Sequence, residues 1–229
     1  MSAPIRVLLV GAKGRMGKTI AAVVEKDTGL TITAEAELGD SLETLITGCD
    51  VVIDFSAPAA TEAVCRVCTD QRRPLVIGTT GHTNAQKELV RAAAQTVPIV
   101  FAANFSLGVN ALFALARRAM ALLGKEFEVE IVEMHHQTKK DAPSGTAKRL
   151  AEILEEARGA DGGVPIHSLR GGDVVGDHQV IFAGSGERLE LIHRASSREA
   201  FALGSLRAAR WVMERPAGLY SMEDVLGAR

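Results

Sequence analysis

Five short runs rich in Val, Ile and Leu recur through the first hundred residues of this chain, and helical patterns separate most of them. Nearly continuous apolar strands that alternate with helices are typical of a parallel sheet covered on both faces. The pattern predicts an α/β fold whose N-terminal domain is a doubly wound, Rossmann-type parallel sheet. The predicted strands are Arg6–Val10, Thr31–Glu37, Val51–Phe55, Pro74–Ile77 and Ile99–Ala102, and the predicted helices are Lys18–Lys26, Ala59–Gln71 and Asn84–Ala94.

The pattern changes after Phe105, where strands begin to outnumber helices. Such runs predict a second, α+β domain built on a mixed sheet. We therefore expect a dinucleotide-binding domain over residues 1–105 and a second domain over residues 106–204. The predicted elements are helices at Leu107–Leu123, Ala147–Ala157 and Phe201–Arg215, strands at Glu128–Glu133, Val164–Leu169, His178–Ala183 and Arg188–Ala195, and a glycine-rich loop over residues 159–163.

Composition bounds the class of protein. A hydrophobic content of 47%, a charged content of 24% and a net charge of −2 are ordinary for a globular protein and favour neither nucleic acid nor a membrane surface as partner. No signal peptide is expected, and no apolar run is expected to reach the roughly 18 residues of a membrane span. Three cysteines suit a reducing, cytoplasmic location, and the Cys65/Cys68 pair is expected to be buried in a helix rather than redox-active.

A glycine-rich turn follows the first strand and opens the first helix. Its spacing is G-x-x-G-x-x-G, formed by Gly11, Gly14 and Gly17, rather than the commoner G-x-G-x-x-G. Glycines there permit a tight turn, close approach of pyrophosphate and tight packing of helix on strand. The helix N-terminus favours phosphate, and Lys13 and Arg15 add positive charge. The turn predicts a dinucleotide site, although a turn that binds no ligand remains the alternative.

The end of the second strand bears on the choice of cofactor. Glu37 lies about twenty residues beyond the turn, where an acidic side chain accepts the ribose hydroxyls of NAD. Glu35 is a competing candidate. Leu38 occupies the position where an arginine would favour NADP, so NADH is expected to be preferred. Lys13 and Arg15 could still accommodate a 2′-phosphate, which leaves NADPH use open.

Two further loops follow the fourth and fifth strands. They are Gly78-Thr79-Thr80-Gly81 and Ala102-Ala103-Asn104-Phe105. Open α/β sheets bind ligands at the carboxyl ends of their strands. Small residues there would let a nicotinamide ring lie flat, with backbone groups holding its carboxamide. Taken singly, each loop is equally consistent with a plain polar turn.

The segment from Glu133 to Thr146 carries the densest chemistry of the chain. It places His135, His136 and Lys139 next to Asp-Ala-Pro-Ser-Gly-Thr, which leads into a helix. Histidine and lysine are natural proton donors, and a helix start with glycine exposes backbone N–H groups to a carboxylate. Ser144 or Thr146 is expected to cap that helix. No metal site is expected, because no third ligand has suitable spacing and lysine repels a cation. Together with the nucleotide turn, the segment predicts a reductase of an anionic acceptor.

On these motifs the chain resembles the dihydrodipicolinate reductase (4-hydroxy-tetrahydrodipicolinate reductase) family of bacterial lysine and diaminopimelate synthesis. The resemblance covers nearly the whole chain, and the E-x-H-H-x-x-K-x-D-A-P-S-G-T-A pattern is its most specific part. It implies hydride transfer from NADH or NADPH to the cyclic unsaturated dicarboxylate derived from 4-hydroxy-tetrahydrodipicolinate, giving tetrahydrodipicolinate. The segments that carry it are Gly11–Gly17, Val52–Ser56, Gly78–Gly81, Ala102–Phe105, Glu133–Thr146 and Gly218–Gly227.

The resemblance also implies roles for individual residues. His135 would donate and accept a proton, Lys139 would donate one, and His136 would bind substrate. Ser144, Gly145 and Thr146 would hold a substrate carboxylate. A homotetramer built through the second domain's sheet is implied, as is a C-terminal helix, about residues 205–229, that packs back on the first domain. The implied cofactor-binding residues are Gly11, Ala12, Lys13, Gly14, Arg15, Met16, Glu37, Gly78, Thr79, Thr80, Ala102, Ala103, Asn104 and Phe105.

Two other classes of protein stay open as alternatives. A two-domain aspartate or homoserine dehydrogenase would share the first domain but would not explain the two histidines beside Lys139 and the Ser-Gly-Thr helix start. A non-catalytic nucleotide-sensing paralogue would be expected to lose the acid/base residues, which are all present. Lys140 duplicates the charge of Lys139, and the motif register favours Lys139.

Overall fold

A computed structural model of the chain describes residues 3–159 and 163–228. Within them the strands are β1 (Ile5–Val10), β2 (Leu30–Ala36), β3 (Val51–Asp54), β4 (Leu75–Ile77), β5 (Pro98–Phe101), β6 (Glu128–His135), β7 (Ile166–Arg170), β8 (Gly176–Gly184), β9 (Glu187–Ala195) and β10 (Gly218–Tyr220). The α-helices are α1 (Arg15–Val24), α2 (Leu42–Leu45), α3 (Thr61–Asp70), α4 (Asn84–Ala93), α5 (Leu107–Leu123), α6 (Gly145–Arg158), α7 (Glu199–Val212) and α8 (Met222–Leu226). The chain divides into unit 1, which runs to Ser106 and resumes over Glu199–Gly227, and unit 2, Leu107–Arg198.

Unit 1 is built on a six-stranded parallel sheet with the order β10-β5-β4-β3-β1-β2. Alternate strand residues and residues of α3 and α4 form a buried cluster, in which Val52 and Ile77 pack with Val67 and Val90. Strand β1 lies between β2 and β3, so the strand order reverses there. Ligands of open α/β sheets bind outside the carboxyl ends of the strands at such a point. The Rossmann-type sheet predicted from the sequence is confirmed.

The C-terminal part of unit 1 differs from the expected single helix. Helix α7 ends at Val212, and the chain then forms strand β10 at the edge of the sheet beside β5. The helix predicted over Phe201–Arg215 is confirmed as α7, and the segment does belong to unit 1, but the expectation of one helix over about residues 205–229 is wrong. Pro216 cannot continue a helix, and the Gly-Leu-Tyr sequence of β10 lacks the apolar run that marks the equally short β4. Helix α7 packs on Phe105, because a Cβ added to Gly204 would lie 1.7 Å from the Phe105 carbonyl oxygen.

Unit 2 is built on a four-stranded mixed sheet with the order β7-β6-β8-β9. Strand β7 is parallel to β6, whereas the β6–β8 and β8–β9 pairs are antiparallel. Val129, Ile131 and Phe182 on one face of the sheet pack with residues of α5 and α6 in a second buried cluster. The predicted α+β domain on a mixed sheet is confirmed. Of the predicted loop over residues 159–163, residues 160–162 lie outside the described part of the chain.

Helix α5, together with the turn that follows it, corrects one expectation. The segment Leu107–Glu126 is long and apolar enough to cross a membrane by length and composition. The expectation that no segment reaches that length is therefore wrong. Leu112, Phe113 and Met120 are buried in the cluster that joins α5 to the sheet of unit 2. Helix α5 thus packs as a core helix.

Cys65 and Cys68 lie on α3 inside the core of unit 1. Both thiols are buried among apolar side chains, together with Cys49. Burial raises the pKa of Cys65 to about 11, because the thiolate is poorly solvated there. A thiol of that pKa is a poor nucleophile and a poor ligand at neutral pH, so the expectation of a buried, structural pair is confirmed.

Candidate active site

The glycine-rich turn of unit 1 connects β1 to α1 and lies against the end of β3. Gly11 has a φ of +82°, and a Cβ added to it would lie 2.7 Å from the Phe55 carbonyl oxygen. A Cβ added to Gly17 would lie 2.2 Å from the Gly11 carbonyl oxygen. Only glycine fits either position, because the backbone of the turn passes within van der Waals distance of its neighbours. The turn is therefore shaped by close backbone packing at the point where the strand order reverses.

The N-terminus of α1 has the features of an anion site. Gly14 is the N-cap and supplies no side-chain cap, and the first turn of the helix carries no acidic residue. Lys13 and Arg15 are exposed beside it. The N–H groups and dipole of a helix start stabilise negative charge, so these residues fit the pyrophosphate of a dinucleotide.

Glu37 is the acidic side chain that contacts the glycine-rich turn. Its carboxylate accepts the backbone N–H of Lys13 at 2.6 Å, and its own N–H donates to Asp40 at 2.8 Å. Glu35 lies exposed on β2, in the groove that this strand forms with α1. The contact holds Glu37 beside the glycine-rich turn, at the distance along the chain where a ribose is expected.

The loops after β4 and β5 line one cavity of about 370 Å³ in unit 1. Thr79 and Thr80 from the first loop meet Ala102 and Ala103 from the second. The loop after β4 is held by Asp54, a buried carboxylate that accepts from the Thr79 hydroxyl at 3.0 Å and from Ser56. Burial raises the pKa of Asp54. The two loops expected to bind nicotinamide are therefore neighbours.

Asn104 and Phe105 face different surroundings from the rest of that loop. The Asn104 side chain accepts the N–H of Ser106 at 2.8 Å. Phe105 is 2% exposed, and its ring packs on Phe55 with a centroid distance of 5.5 Å. The ring of Phe105 is therefore part of the core.

In unit 2, strand β6 presents Glu133 and His135 on the same face, because alternate residues of a strand point the same way. Both are buried, and Glu133 has no exposed surface. The distance between His135 Nδ1 and Glu133 Oε2 is 2.5 Å. Arg170, at the end of β7, donates to both oxygens of Glu133 at 2.9 Å. The backbone N–H of Ser144 donates to the same carboxylate at 3.2 Å.

The charges of this cluster set its protonation. Burial alone would raise the pKa of Glu133, but the Arg170 guanidinium and its other donors lower it to about 2. The carboxylate is therefore ionised at neutral pH. Burial lowers the pKa of His135, and hydrogen bonding to Glu133 opposes that effect. His135 is thus a histidine that is largely neutral near pH 7 but hydrogen-bonded to a permanent negative charge.

Lys139 lies on the loop after β6 and pairs with Asp141. The Lys139 Nζ to Asp141 Oδ1 distance is 2.8 Å, and the lysine side chain is 21% exposed. The neighbouring Lys140 is exposed. Strand β6 ends at His135, so His136 begins the loop, where its ring bonds the Thr138 hydroxyl at 2.7 Å. The structure thus gives Lys139 a fixed partner beside the histidines.

The start of α6 closes the cluster. Ser144 is the N-cap, because its hydroxyl accepts the N–H of Ala147 at 3.2 Å. The same hydroxyl bonds Nε2 of His178, a buried residue of β8, at 3.1 Å. A Cβ added to Gly145 would meet no atom within 4 Å, so space is open at the first helical residue. Thr146 follows in the first turn. A carboxylate fits this helix start.

Sequence reasoning missed three members of the cluster: Glu133 as the partner of His135, Arg170 and His178. A signal existed for Glu133, since it lies two residues before His135 on a predicted strand and must share its face. Arg170 and His178 lie on β7 and β8, which are distant from β6 in the sequence and meet it only because they pair with it in the sheet. Nothing local in the sequence marks them.

Comparison with known proteins identifies the family. Residues 5–105 match the family described as dihydrodipicolinate reductase, N-terminus, and residues 108–226 match dihydrodipicolinate reductase, C-terminus. The chain belongs to the dihydrodipicolinate reductase family. The predicted resemblance is confirmed, and with it the expectation of an NAD(P)H-dependent reductase.

Individual dihydrodipicolinate reductases agree with this assignment over nearly their full lengths. The 4-hydroxy-tetrahydrodipicolinate reductase of Akkermansia muciniphila is 48% identical, covering 97% of this chain and 98% of the relative. That of Zymomonas mobilis is 45% identical, covering 97% of each. The dipicolinate-bound dihydrodipicolinate reductase of Paenisporosarcina sp. TG-14 superposes with a TM-score of 0.84 at 29% identity, covering 95% of this chain and 97% of that one.

Proposed function

We propose that the chain reduces the cyclic imine dicarboxylate derived from 4-hydroxy-tetrahydrodipicolinate to tetrahydrodipicolinate, in lysine and diaminopimelate synthesis. The reaction adds a hydride and a proton across a double bond of the ring. The reduced nicotinamide, when bound, supplies the hydride. The proton must come from the protein or from water. The buried His135, hydrogen-bonded to Glu133 in the same cluster as Lys139, is the observation that carries the proposal.

His135 and Lys139 are the proposed acid/base residues. A general acid works best when its pKa lies near the operating pH, and histidine is the side chain closest to that condition. Glu133 stabilises the charged imidazolium, so His135 can take up a proton despite its burial. Lys139 carries a positive charge fixed by Asp141. The Lys139 ammonium would stabilise negative charge on the ring nitrogen or on a carboxylate of the substrate, and it can donate a proton to the group that carries that charge.

The helix start at Ser144, Gly145 and Thr146 is the proposed carboxylate site, with His136 as a further substrate-binding residue. The Ser144 hydroxyl accepts the N–H of Ala147 and so caps the helix. The backbone N–H groups of Gly145 and Thr146, the first two helical residues, lie at the N-terminal end of α6. A relative of 29% identity is described as bound to dipicolinate, a planar dicarboxylate. We therefore expect pyridine-2,6-dicarboxylate to inhibit in competition with the acceptor.

NADH is the proposed preferred cofactor of the glycine-rich turn, with NADPH also used. The residues that would hold it are those of the turn from Gly11 to Met16, Glu37 and the loops after β4 and β5. The Glu37 carboxylate, held by the Lys13 N–H, fits ribose hydroxyls and would repel a 2′-phosphate. Lys13 and Arg15 offset part of that repulsion. Calorimetric titration with each cofactor tests the preference, and a strong preference for NADPH would contradict it.

A coupled assay tests the reaction itself. The purified chain is mixed with NADH and with 4-hydroxy-tetrahydrodipicolinate generated continuously by its synthase, and absorbance of the reduced nicotinamide is followed. We expect loss of that absorbance only when the synthase is present. A chain that binds NADH and NADPH but consumes neither would contradict the proposal. It would instead favour a dehydrogenase of another acceptor or a nucleotide sensor.

The sheet of unit 2 supports a homotetramer. Helices α5 and α6 pack on the face that carries Val129 and Ile131. Leu169 and Ile192, on the outer strands, are 51% and 47% exposed. We place the interface between subunits on this face of the sheet, which α5 and α6 leave uncovered. Light scattering coupled to size exclusion should give four chains, and Ile192→Lys should reduce that number.

A cytoplasmic location is the proposed compartment. Cys49, Cys65 and Cys68 are free and buried. Free thiols persist in reducing compartments such as the cytoplasm. Fractionation of cells that express the tagged chain tests this, and recovery with membranes or in the medium would contradict it.

A further inference from the structure

Glu133 and Arg170 form a buried ion pair inside the cluster around His135. Glu133 has no exposed surface, and the Arg170 side chain is 20% exposed. Each nitrogen at the end of the guanidinium donates to one carboxylate oxygen at 2.9 Å. Desolvation of two charges offsets much of the attraction in a buried pair of this kind, so the fixed geometry of the pair, rather than stability, is what it contributes.

Arg170 also contacts the loop that carries the other candidate proton donor. Its Nη2 donates to the carbonyl oxygen of Asp141 at 2.7 Å, in addition to its bond to Glu133. Asp141 is the residue whose carboxylate pairs with Lys139. One planar guanidinium is therefore bonded both to the partner of His135 and to the partner of Lys139. The planar arginine guanidinium fixes the angles between its hydrogen bonds, so it holds its partners in a fixed relative position better than a flexible lysine ammonium would.

We propose that Glu133 and Arg170 are positioning residues for the reduction. Glu133 holds His135 with its proton on Nδ1, and Arg170 holds Glu133 and the Lys139–Asp141 loop in a fixed relation. This inference rests on the proposed function of His135 and Lys139.

The hydrogen-bonding capacity of a carboxylate decides the tautomer. An ionised carboxylate only accepts hydrogen bonds, so His135 Nδ1 must donate to Glu133 Oε2. In the neutral ring the lone pair is then on Nε2, and in the charged ring Nε2 carries the exchangeable proton. Nε2 is therefore the atom that takes up and releases the proton. The opposite tautomer would present an N–H at Nε2 of the neutral ring and could not accept a proton there.

The groups that face His135 come from four parts of unit 2. They are Glu133 on β6, Lys139 on the following loop, Arg170 on β7 and His178 on β8, whose ring centroid lies 5.2 Å away. The two cations and burial favour the neutral ring, whereas Glu133 favours the charged ring. Removal of the Glu133 charge should therefore lower the pKa of His135 further.

Glu133→Gln tests the part assigned to Glu133. The amide oxygen of the glutamine will continue to accept a hydrogen bond from Arg170, so the amide N–H₂ will face His135. Nδ1 of His135 must then accept a hydrogen bond instead of donating one. With ¹⁵N-labelled histidine, NMR should show the neutral ring changing from Nδ1–H to Nε2–H, with a lower pKa. We expect kcat to fall by roughly 10²-fold while the Kd of NADH stays unchanged. Glu152→Gln, which removes a glutamate from the exposed Arg149–Glu152 pair of α6, is the matched control.

Arg170→Lys tests the part assigned to the fork and covers the case in which Glu133→Gln does not fold. Lysine keeps the charge and one bond to Glu133 but cannot also reach the Asp141 carbonyl oxygen in the same plane. We expect Nδ1–H to be retained and kcat to fall by about tenfold. Arg149→Lys is the control. Equal kcat and pH profiles for Arg170→Lys and its control would overturn this part of the inference.

The NMR readout separates this inference from the proposed function. An unchanged His135 spectrum in folded Glu133→Gln would overturn the positioning role even if the enzyme reduces the substrate as proposed. A changed tautomer with unchanged kcat would also overturn it, because the position of the proton would then not matter for turnover. A wild-type chain that is inactive in the coupled assay but shows Nδ1–H would instead contradict the proposed function.

Discussion

The glycine-rich turn of unit 1 and the His135 cluster of unit 2 are two candidate sites that differ in what forms them: backbone in the first and charged side chains in the second. The turn depends on missing side chains, since a Cβ on Gly11 or Gly17 would lie 2.7 or 2.2 Å from backbone atoms. The cluster depends on buried charged side chains that satisfy one another, namely Glu133, Arg170 and His135. One site would therefore hold a ligand mainly through backbone, and the other would act through side-chain protonation.

The comparison predicts different modes of failure. A substitution in the turn should act sterically, with an effect that does not vary with pH. A substitution in the cluster should act electrostatically, because the loss of one partner leaves a buried group uncompensated. The four predictions below test whether the two sites separate in this way.

The largest effect is expected in unit 2 for Lys139→Ala. The change removes a proposed proton donor, so kcat should fall by at least about 10²-fold while the Kd of NADH in unit 1 is unchanged. Steady-state kinetics and calorimetry measure the two quantities. Lys140→Ala is the matched control, since that lysine is exposed, and its kcat should stay within about twofold. Near-normal turnover in Lys139→Ala would end the assignment.

The acid sensitivity of unit 2 should come next. Burial, followed by the nearby His135, lowers the pKa of His178 to about 4, against an ordinary 6.5. In the unfolded chain His178 takes up its proton near pH 6.5, whereas in the folded chain it does so only near pH 4. The stability of the fold is therefore unaffected by His178 above pH 6.5, and protonation of the unfolded chain reduces it as pH falls from 6.5 to 4. The free energy of unfolding should drop by about 2 to 3 kcal/mol between pH 7 and 4.5. Urea titrations measure it.

The control for this prediction is another histidine of the same sheet. His178→Gln should reduce the acid loss, whereas His167→Gln should leave it unchanged, because His167 is 55% exposed. The chosen pH range also ends at the ordinary pKa of Glu133, so most of the acid loss that this carboxylate causes lies below the range. Identical pH curves for wild type and His178→Gln would show that His178 is not the source.

Gly17→Ala should test the steric site. The added Cβ meets the Gly11 and Ala12 carbonyl oxygens, so either the turn or α1 must move. We expect a loss of about 1 to 3 kcal/mol in stability, equal at pH 7 and pH 5, and a weaker NADH affinity. Gly48→Ala is the control, because its Cβ would meet no atom within 4 Å. A pH-dependent loss in Gly17→Ala would contradict the distinction between the two sites.

The smallest effect is expected for Glu37→Gln. The amide keeps an acceptor for the Lys13 N–H but removes the charge, so NADPH should bind a few-fold more tightly while NADH binds about as before or slightly more weakly. Titrations with both cofactors at fixed ionic strength measure the ratio. Glu35→Gln should not change it. An unchanged ratio in Glu37→Gln would show that Lys13 and Arg15 dominate the choice.

Much of unit 1 could be predicted because its information is local. The apolar run Val51–Ile53 and the helical pattern of Asn84–Ala93 are both visible within a few residues. The glycine spacing lies within seven residues. Strand β10 could not be predicted in this way. Like β4 it has three residues, but they are Gly218, Leu219 and Tyr220 rather than a run of Val, Ile and Leu, and the strand exists only through its pairing with β5. Helix α8, with its Ser221 cap, is similarly short.

The sequence by itself determined the parallel sheet of unit 1, the family and the candidate-site segment from His135 to Thr146, since each is encoded in neighbouring residues. Only the tertiary structure decided what those residues touch. Glu133 and His135 meet Arg170 and His178 because β7 and β8 pair with β6 on either side. The register of that pairing depends on the packing of the whole sheet against α5 and α6, and no local pattern specifies it.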